Sequence, residues 1–216
     1  DATGYTVEMP RTEQLLNELQ GENRFGVLLM AQLDAVPETL QIIIATTQED
    51  SSSRGLRDLN QYLVRAIGVV EHRLSLGLFK SLVKRESHPL LYQYNTAAAG
   101  VFFRGVPDDP HALFADVLQT YAGTFGPWRQ PPAYVNTAKP LLTLLSSGGD
   151  LLGQMPLPLA DAMVKVLEDH GLEARALVEA SPASDEHGRS RLRKVLLMDE
   201  SYVVAFDFSV EYLGKG

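Results

Sequence analysis

The loop from Ser146 to Gly153 is the segment whose residue types are best suited to hold a phosphate. It reads SSGGDLLG, and successive backbone amides of a glycine-rich turn can form a concave anion site. The segment lacks the glycine spacing and the lysine of a phosphate-binding loop. A turn between two helices accounts for the same residues. The sequence therefore leaves two alternatives open, a small-ligand site and a structural turn.

The histidines are the other residues that could act as acids, bases or metal ligands. No two of the five have the spacing of paired metal ligands: His72, His88, His111, His170 and His187. His111 follows Asp108 and Asp109, which could pair with it for acid–base chemistry, but Asp109 before Pro110 also marks a helix start. His170 lies at a predicted helix end, where a cation is favourable. No serine lies in a nucleophile elbow, so we predict neither catalytic residues nor a bound metal or cofactor.

A basic cluster lies near the end of the chain and consists of Arg189, Arg191, Arg193 and Lys194. Arg191 and Arg193 fall on one face of a predicted strand and could bind an acidic partner. The alternative role of these charges is to discourage pairing at a sheet edge. Trp128 and Tyr134 lie in a proline-rich stretch, and we expect them to pack that stretch onto a domain.

The longest helical pattern in the chain covers residues 53–72. Its apolar residues recur at steps of three and four: Leu56, Leu59, Leu63, Ala66 and Val70. Tyr62, Ile67 and Val69 widen this stripe, so that a second element or a second copy of the chain must cover it. The predicted association or partner-binding residues are Leu56, Leu59, Tyr62, Leu63, Ile67 and Val70, together with Arg191 and Arg193.

The remaining patterns predict further helices and antiparallel strands. Helices are expected at residues 13–20, 109–123, 138–145 and 158–170. Hairpins are expected from 25–33 with 39–47, from 88–95 with 99–104, and from 172–180 with 191–198, followed by a last strand at 203–212. The fold class is therefore α+β.

A change of composition divides the chain. Residues 127–140 contain four prolines and Trp128, which predicts a stiff connector. We therefore predict an α+β domain over residues 1–126, the connector at 127–140, and a partial repeat of the helix-plus-strands unit over 141–216.

Composition excludes several function classes. The formal net charge of −8 disfavours direct binding to nucleic acid, because that affinity comes from cations that neutralise phosphates. The chain has no cysteine, which excludes disulfides, thiolate catalysis and cysteine-ligated metals. No apolar run of about 18 residues and no signal-like start is visible, so we expect no membrane insertion and a cytoplasmic location.

The order of elements over residues 12–123 resembles that of the YbjN-like family and, through it, the type III secretion chaperone-like fold. The motifs that carry the resemblance are LLNEL at 15–19, FGVLLMAQL at 25–33, DLNQYLVRAIGVVE at 58–71, LLYQYN at 90–95 with GVFFRGV at 100–106, and HALFADVLQTYAGTFGP at 111–127. The length is similar to that of the YbjN-like proteins of radiation-resistant bacteria, which are linked to DNA-repair partners. A rival resemblance is to the roadblock-type dimerisation fold, also built from a sheet and long helices.

The resemblance implies a dimer, without cofactor or catalysis, that holds a partly unfolded stretch of another protein on sheet edges and apolar grooves. We accordingly expect a non-enzymatic, homodimeric, chaperone-like or adaptor protein linked to DNA repair or the stress response. Its client would be another protein, with a single-stranded-DNA-binding repair protein as one candidate. The alternative is a small-ligand-binding protein or enzyme that uses the loop from Ser146 to Gly153.

Overall fold

A computed structural model describes residues 11–50, 55–131, 133–179 and 192–216. The chain is α+β with antiparallel sheets, as the sequence predicts. It forms two compact units. Unit 1 is made of Asp1–Glu86 and Arg193–Gly216, and unit 2 is made of Ser87–Leu192.

The helices and strands are numbered in chain order. The first part of unit 1 contains α1 (Arg11–Glu18), β1 (Arg24–Leu33), β2 (Thr39–Asp50), β3 (Gly55–Ile67), β4 (Glu71–Arg73), β5 (Gly77–Phe79) and β6 (Leu82–Arg85). Unit 2 contains a 3-10 turn (Pro89–Leu91), α2 (Tyr92–Asn95), β7 (Ala98–Arg104), α3 (Pro110–Phe125), α4 (Leu141–Leu145), β8 (Gly149–Pro156), α5 (Leu157–Asp169) and β9 (Glu173–Val178). The second part of unit 1 contains β10 (Lys194–Met198), β11 (Ser201–Ala205) and β12 (Asp207–Lys215).

Unit 1 is built from two antiparallel sheets that share a hydrophobic core. The larger sheet has the strand order β12–β3–β2–β1–β5, and the smaller has the order β4–β11–β10–β6. Ile42, Ile44 and Val64 of the larger sheet are buried together with Val203 of the smaller one and Leu15 of α1. The predicted first helix and the first hairpin are confirmed as α1 and as β1 with β2.

The longest predicted helix, at residues 53–72, is wrong, because residues 55–67 form strand β3. Within residues 53–72, β3 pairs with β2 on one side and β12 on the other. Tyr62, Val64 and Ala66 are buried in the core of unit 1, which is a period of two. Apolar residues occur here at both helical and strand spacings, and hydrogen bonding along both edges selects the strand. Gly68, with φ of +67°, lies in the turn after the strand.

The predicted association residues therefore form no continuous stripe. Tyr62 and Leu63 are adjacent on a strand and point to opposite faces of the sheet, and both are buried. Leu59 is half-buried. The exposed members of the set are Leu56, Ile67 and Val70, at 44%, 47% and 40%.

Unit 2 has one antiparallel sheet with the order β8–β7–β9. Helices cover one face of it: Val101 and Phe103 of β7 are buried with Leu113 and Val117 of α3 and with Met163 of α5. Helices α3 and α5 are confirmed close to their predicted bounds. The strand predicted at 172–180 is confirmed as β9.

The start of α3 confirms the predicted capping. The carboxylate of Asp109 accepts hydrogen bonds from the backbone N–H groups of Ala112 at 3.0 Å and His111 at 2.9 Å. These two bonds lower the pKa of Asp109 below its ordinary value. Pro110 is the first helical residue, and the helix continues past the predicted end to a C-cap at Gly126, whose φ is +55°.

One predicted strand, one predicted pairing and the extent of the last predicted strand are wrong. Residues 88–95 form the 3-10 turn and α2, and β7 pairs instead with β8 and β9. Strand β10 pairs with β6 and β11, not with β9. The last predicted strand, 203–212, is two strands: β11 ends at Ala205, β12 begins at Asp207, and the two belong to different sheets. Hydrophobic alternation indicates which face is buried, but it does not identify the neighbouring strand.

The boundary between the two units does not fall in the proline-rich stretch, because residues 127–140 lie inside unit 2. Tyr134 stacks on Phe125 with ring centroids 5.4 Å apart, and Trp128 meets His88 edge-on at 5.2 Å. These contacts confirm that both aromatic residues pack the stretch onto a folded body. Residues 193–216 complete unit 1 instead of forming a repeat with residues 141–192.

Candidate functional site

The residues considered for acid–base chemistry lie at helix ends of unit 2. His111 is exposed at the start of α3, where Asp109 serves as the cap. His170 is the C-cap of α5, and its Nε2 lies 2.8 Å from Oδ2 of Asp116 on α3. This contact joins the two helices that cover the sheet. Among the described residues, no group of three or more His, Cys, Asp or Glu is placed to hold a metal ion.

The glycine-rich loop at 146–153 is divided between a helix end and a strand. The hydroxyls of Ser146 and Ser147 donate hydrogen bonds to carbonyl oxygens of α4, at 2.8 and 2.7 Å. Gly149 begins β8 with φ of +148°, and a Cβ there would lie 3.0 Å from the carbonyl oxygen of Phe103. The geometry is that of a tight turn between α4 and β8.

A concavity of about 700 Å³ lies beside this turn, on the sheet of unit 2. All three strands contribute to its lining, among them Phe102, Arg104, Leu151 and Arg175. It therefore combines apolar side chains with two guanidinium groups.

We call the face of this sheet turned away from α3 and α5 the outer face. It carries the cross-strand rows Gln154–Gly100–Leu177, Leu151–Phe102–Arg175 and Gly149–Arg104–Glu173. A Cβ on Gly100 would lie 3.2 Å from Cε2 of Phe102 and 3.7 Å from Cδ1 of Leu151, so both side chains are on this face. Phe102 and Leu151 are half-buried, and Leu177 is 51% exposed. The outer face thus presents apolar surface to solvent.

Strand β9 lies at an edge of this sheet, and among the described residues its only partner strand is β7. The N–H of Glu179 donates to the carbonyl of Ala98 at 2.8 Å, which makes this pair a hydrogen-bonded one. Hydrogen-bonded pairs alternate along an antiparallel ladder, so the N–H and C=O groups of Ala174, Ala176 and Val178 point away from β7. The strand has no proline, lysine or bulge, which are three of the devices that protect sheet edges, and its charged side chains are Glu173 and Arg175.

The opposite edge of the sheet, β8, is covered by the proline-rich stretch. The N–H of Asn136 donates to the carbonyl of Leu152 at 2.7 Å, and its Nδ2 donates to the carbonyl of Leu151 at 3.1 Å. Gly153 permits this close approach, because a Cβ there would collide with the carbonyl of Tyr134. Within the described residues the two edges of the sheet thus differ: the proline-rich stretch bonds to β8, whereas the outward backbone groups of β9 have no hydrogen-bonded partner.

Some charged groups at the outer face form ion pairs and others do not. Asp150, beside the concavity, forms an ion pair with Lys139 at 3.1 Å. Arg104 and Arg175 are exposed, and neither has a hydrogen-bonded or ion-paired partner within the part of the chain that is described. Glu173 is paired in register with Arg104 but makes no ion pair with it.

The predicted partner-binding residues lie elsewhere. Leu56, Leu59, Tyr62, Leu63, Ile67, Val70 and Arg193 belong to unit 1, and Arg191 lies outside the described residues. The guanidinium of Arg193 donates to the carbonyl of Gly68 at 3.3 Å and lies 5.5 Å from the ring centroid of Phe206, which are contacts within unit 1. Sequence reasoning missed Phe102 and Leu177. The alternation along 173–179 was a usable signal, because it places small residues on one face of β9 and large ones on the other.

Unit 1 contains a polar cluster at the end of α1. Oε1 of Glu18 accepts hydrogen bonds from the hydroxyl of Tyr62 at 2.6 Å and from Nδ2 of Asn60 at 2.7 Å, and Oε2 accepts one from Thr46 at 2.7 Å. Burial raises the pKa of the carboxyl, but these hydrogen bonds together outweigh it and lower the pKa. Burial and the contact with Glu18 raise the pKa of Tyr62. The cluster attaches α1 to β2 and β3.

Comparison with known proteins does not identify a relative. No family model, no curated protein and no solved structure matches the chain. The resemblance to the YbjN-like family therefore stays a prediction, and two of its motifs have other structures than expected: residues 58–71 lie largely in β3, and residues 90–95 lie in a turn and α2. No helix in the described ranges is long and apolar enough to cross a membrane.

Proposed function

We propose that the chain is a non-enzymatic adaptor or chaperone-like protein that binds an extended segment of another protein by adding it as a strand to β9. The observation that carries the proposal is the juxtaposition of a sheet edge that no other described strand pairs with and an exposed apolar side chain, Leu177, on the outer face. Extended peptides commonly add to such edges, where backbone hydrogen bonds give affinity and side-chain contacts give specificity.

The edge can supply both kinds of contact. The backbone groups of Ala174, Ala176 and Val178 point towards an added strand and are its hydrogen-bonding partners. The side chains of an added strand alternate, and those on the outer face lie beside Arg175 and Leu177. The small side chains of Ala174 and Ala176 leave room for larger ones of the client on the other face.

The test is an aggregation assay with reduced insulin as the client. Dithiothreitol unfolds insulin by reducing its disulfides. It leaves this chain intact, because the chain has no cysteine. The wild-type protein is expected to delay the light scattering of the insulin B chain. Leu177→Lys is expected to lose that effect, because a lysine at a sheet edge opposes strand addition.

Leu213→Lys is the matched control. Leu213 lies on β12, an edge strand of unit 1, and at 46% it is about as exposed as Leu177. It should retain the wild-type delay. A wild-type protein that leaves insulin aggregation unchanged, or a Leu177→Lys protein as active as the parent, contradicts the proposal.

A homodimer is a second part of the proposal. Its support is the exposure of Leu56, Ile67 and Val70 in unit 1, since exposed apolar side chains favour association. The mass of one chain is 23.8 kDa, and light scattering coupled to size-exclusion chromatography should give twice that mass for the parent protein. Ile67→Asp should give the monomer mass with the fold preserved, because Ile67 is exposed in unit 1. A parent protein that elutes as a monomer at micromolar concentration refutes this part.

A small-ligand function is the alternative, favoured by the concavity beside Gly149. A pocket of several hundred Å³ with apolar and charged lining is of the size that binds metabolites. Thermal stabilisation by a member of a nucleotide and metabolite panel would support this alternative.

A further inference from the structure

We infer that the segment bound at β9 carries an acidic residue beside Arg175 and, at the next outward position, an apolar residue beside Leu177. The inference rests on the proposed function, because it names the chemistry of the client for the same edge. It is carried by the side chains of β9 that face outward: Glu173, Arg175 and Leu177.

Arg175 has an unmatched charge in the position nearest to an added strand. Its side chain is exposed and makes no ion pair or hydrogen bond with any other part of the chain. Across the sheet its neighbour is Phe102, which has no charge to offer. The position that remains beside Arg175 is the one that an added strand would fill. Opposite charges on adjacent strands stabilise their pairing, and like charges oppose it.

The next outward position on β9 selects for an apolar side chain. Leu177 has Gly100 as its cross-strand neighbour, and although the ring of Phe102 lies over that glycine, Leu177 remains 51% exposed. An apolar side chain on an added strand would bury part of the exposed surface of Leu177. Along the added strand the preferred outward pattern is therefore an acidic residue beside Arg175 next to an apolar residue beside Leu177.

Arg104 adds a second positive charge to the outer face, one strand further in, with Glu173 in register beside it. Arg104 lies on β7, two residues after Phe102, the cross-strand neighbour of Arg175. It too lacks an ion pair within the described chain. The whole molecule carries a charge of −8, which weakly repels acidic peptides at long range. Salt at physiological concentration screens that repulsion beyond about 8 Å, whereas the contact with Arg175 would be made at hydrogen-bond distance.

The test is a comparison of two peptides, acetylated and amidated at the ends: Thr-Val-Thr-Glu-Thr-Val-Thr and its counterpart with Gln in place of Glu. Their outward residues read the same in both directions, so the result does not depend on the orientation of the added strand. Binding is measured by nuclear magnetic resonance titration of the ¹⁵N-labelled full chain, followed at the amides of β9. Wild-type protein is expected to bind the Glu peptide about three-fold more tightly than the Gln peptide, the size of an exposed ion pair.

Arg175→Gln is expected to bind both peptides equally, because the group that distinguishes them is removed. Arg57→Gln is the matched control, an exposed arginine on β3 of unit 1, and should keep the wild-type preference. Arg104→Gln should reduce the preference by less than Arg175→Gln does, since β7 is one strand further from the peptide.

Each outcome decides a different statement. Equal binding of the two peptides by the wild type, or a preference that persists in Arg175→Gln, overturns the charge inference and leaves strand addition at β9 in place. Failure of both peptides to shift the amides of β9 overturns the proposed function, and the inference with it. Shifts in unit 1 in place of β9 have the same consequence.

Discussion

Replacing Glu18 with alanine should destabilise unit 1 by about 2.5 kcal/mol, although the side chain lies near the surface. The carboxylate accepts three hydrogen bonds of 2.6 to 2.7 Å, from Tyr62, Asn60 and Thr46. Removing it leaves donors of two buried residues without their charged acceptor.

The magnitude follows from what each donor retains. The hydroxyl of Tyr62, a fully buried residue, would lose its acceptor, which costs about 2 kcal/mol. Thr46 and Asn60 keep contacts with each other at 3.3 and 3.4 Å, and together they should lose about 1 kcal/mol. Glu18 lies in the last turn of α1, where the helix dipole disfavours a negative charge, and its removal returns about 0.5 kcal/mol. These contributions give the net loss of about 2.5 kcal/mol.

Urea unfolding at pH 7 measures the loss, with Glu13→Ala as the control. Glu13 is exposed on the same helix and should change the free energy of unfolding by less than about 0.5 kcal/mol. A double-mutant cycle with Tyr62→Phe isolates the hydrogen bond between the two side chains. A coupling energy near zero would show that the contact does not stabilise the fold.

The effect should depend on pH. The pKa of Glu18 is lowered in the folded state, so its contribution is complete above the unfolded-state pKa of about 4.3 and is lost as the pH falls through the folded-state value. The difference in stability between wild type and Glu18→Ala should therefore be constant near neutral pH and shrink below about pH 4. A difference that grows on acidification contradicts the assigned role of the carboxylate.

Two glycine substitutions test the packing of unit 2 in opposite directions. Gly153→Ala should lower its stability by at least 2 to 3 kcal/mol, roughly the cost of overpacking, because the new Cβ would collide with the carbonyl of Tyr134. Gly123→Ala should raise stability by about 0.5 to 1 kcal/mol, since a Cβ there, inside α3, meets nothing within 4 Å. Urea midpoints of both variants, compared with wild type, check the pair. Equal shifts of the two midpoints would refute the packing argument.

Local chemistry was enough to predict the elements whose signals come from neighbouring residues. Asp109 with Pro110 defines the start of α3, and the β runs on either side of Pro37 define the hairpin of β1 and β2. These features depend on caps, turn residues and periodicity within a few positions of each other. The α+β class follows from them.

The structure of residues 55–67 could not be predicted in this way. Leu59, Leu63 and Ala66 have helical spacing, while Tyr62, Val64 and Ala66 have the spacing of a strand. The choice is made by β12, which supplies hydrogen bonds to β3 from a distant part of the chain. No pattern within a short window contains that information.

The candidate binding surface was missed for a related reason. Phe102 and Leu177 are separated in sequence and acquire a shared role only when β7 and β9 lie side by side. The alternation of β9 was visible in the sequence, but its position at a sheet edge was not. The six apolar residues predicted to mediate association, between positions 56 and 70, were in contrast grouped on a helix that the chain does not form.

The assembly of unit 1 from both parts of the chain has a consequence for synthesis on the ribosome. Arg65 and Glu211, which form an ion pair between β3 and β12, are 146 positions apart. The segment that forms unit 2 emerges in one piece and can fold while translation continues, whereas β3 must wait for β12 with one edge unpaired. During that interval the nascent chain itself displays an aggregation-prone strand, so slow translation after residue 192 should increase misfolding of unit 1 more than of unit 2.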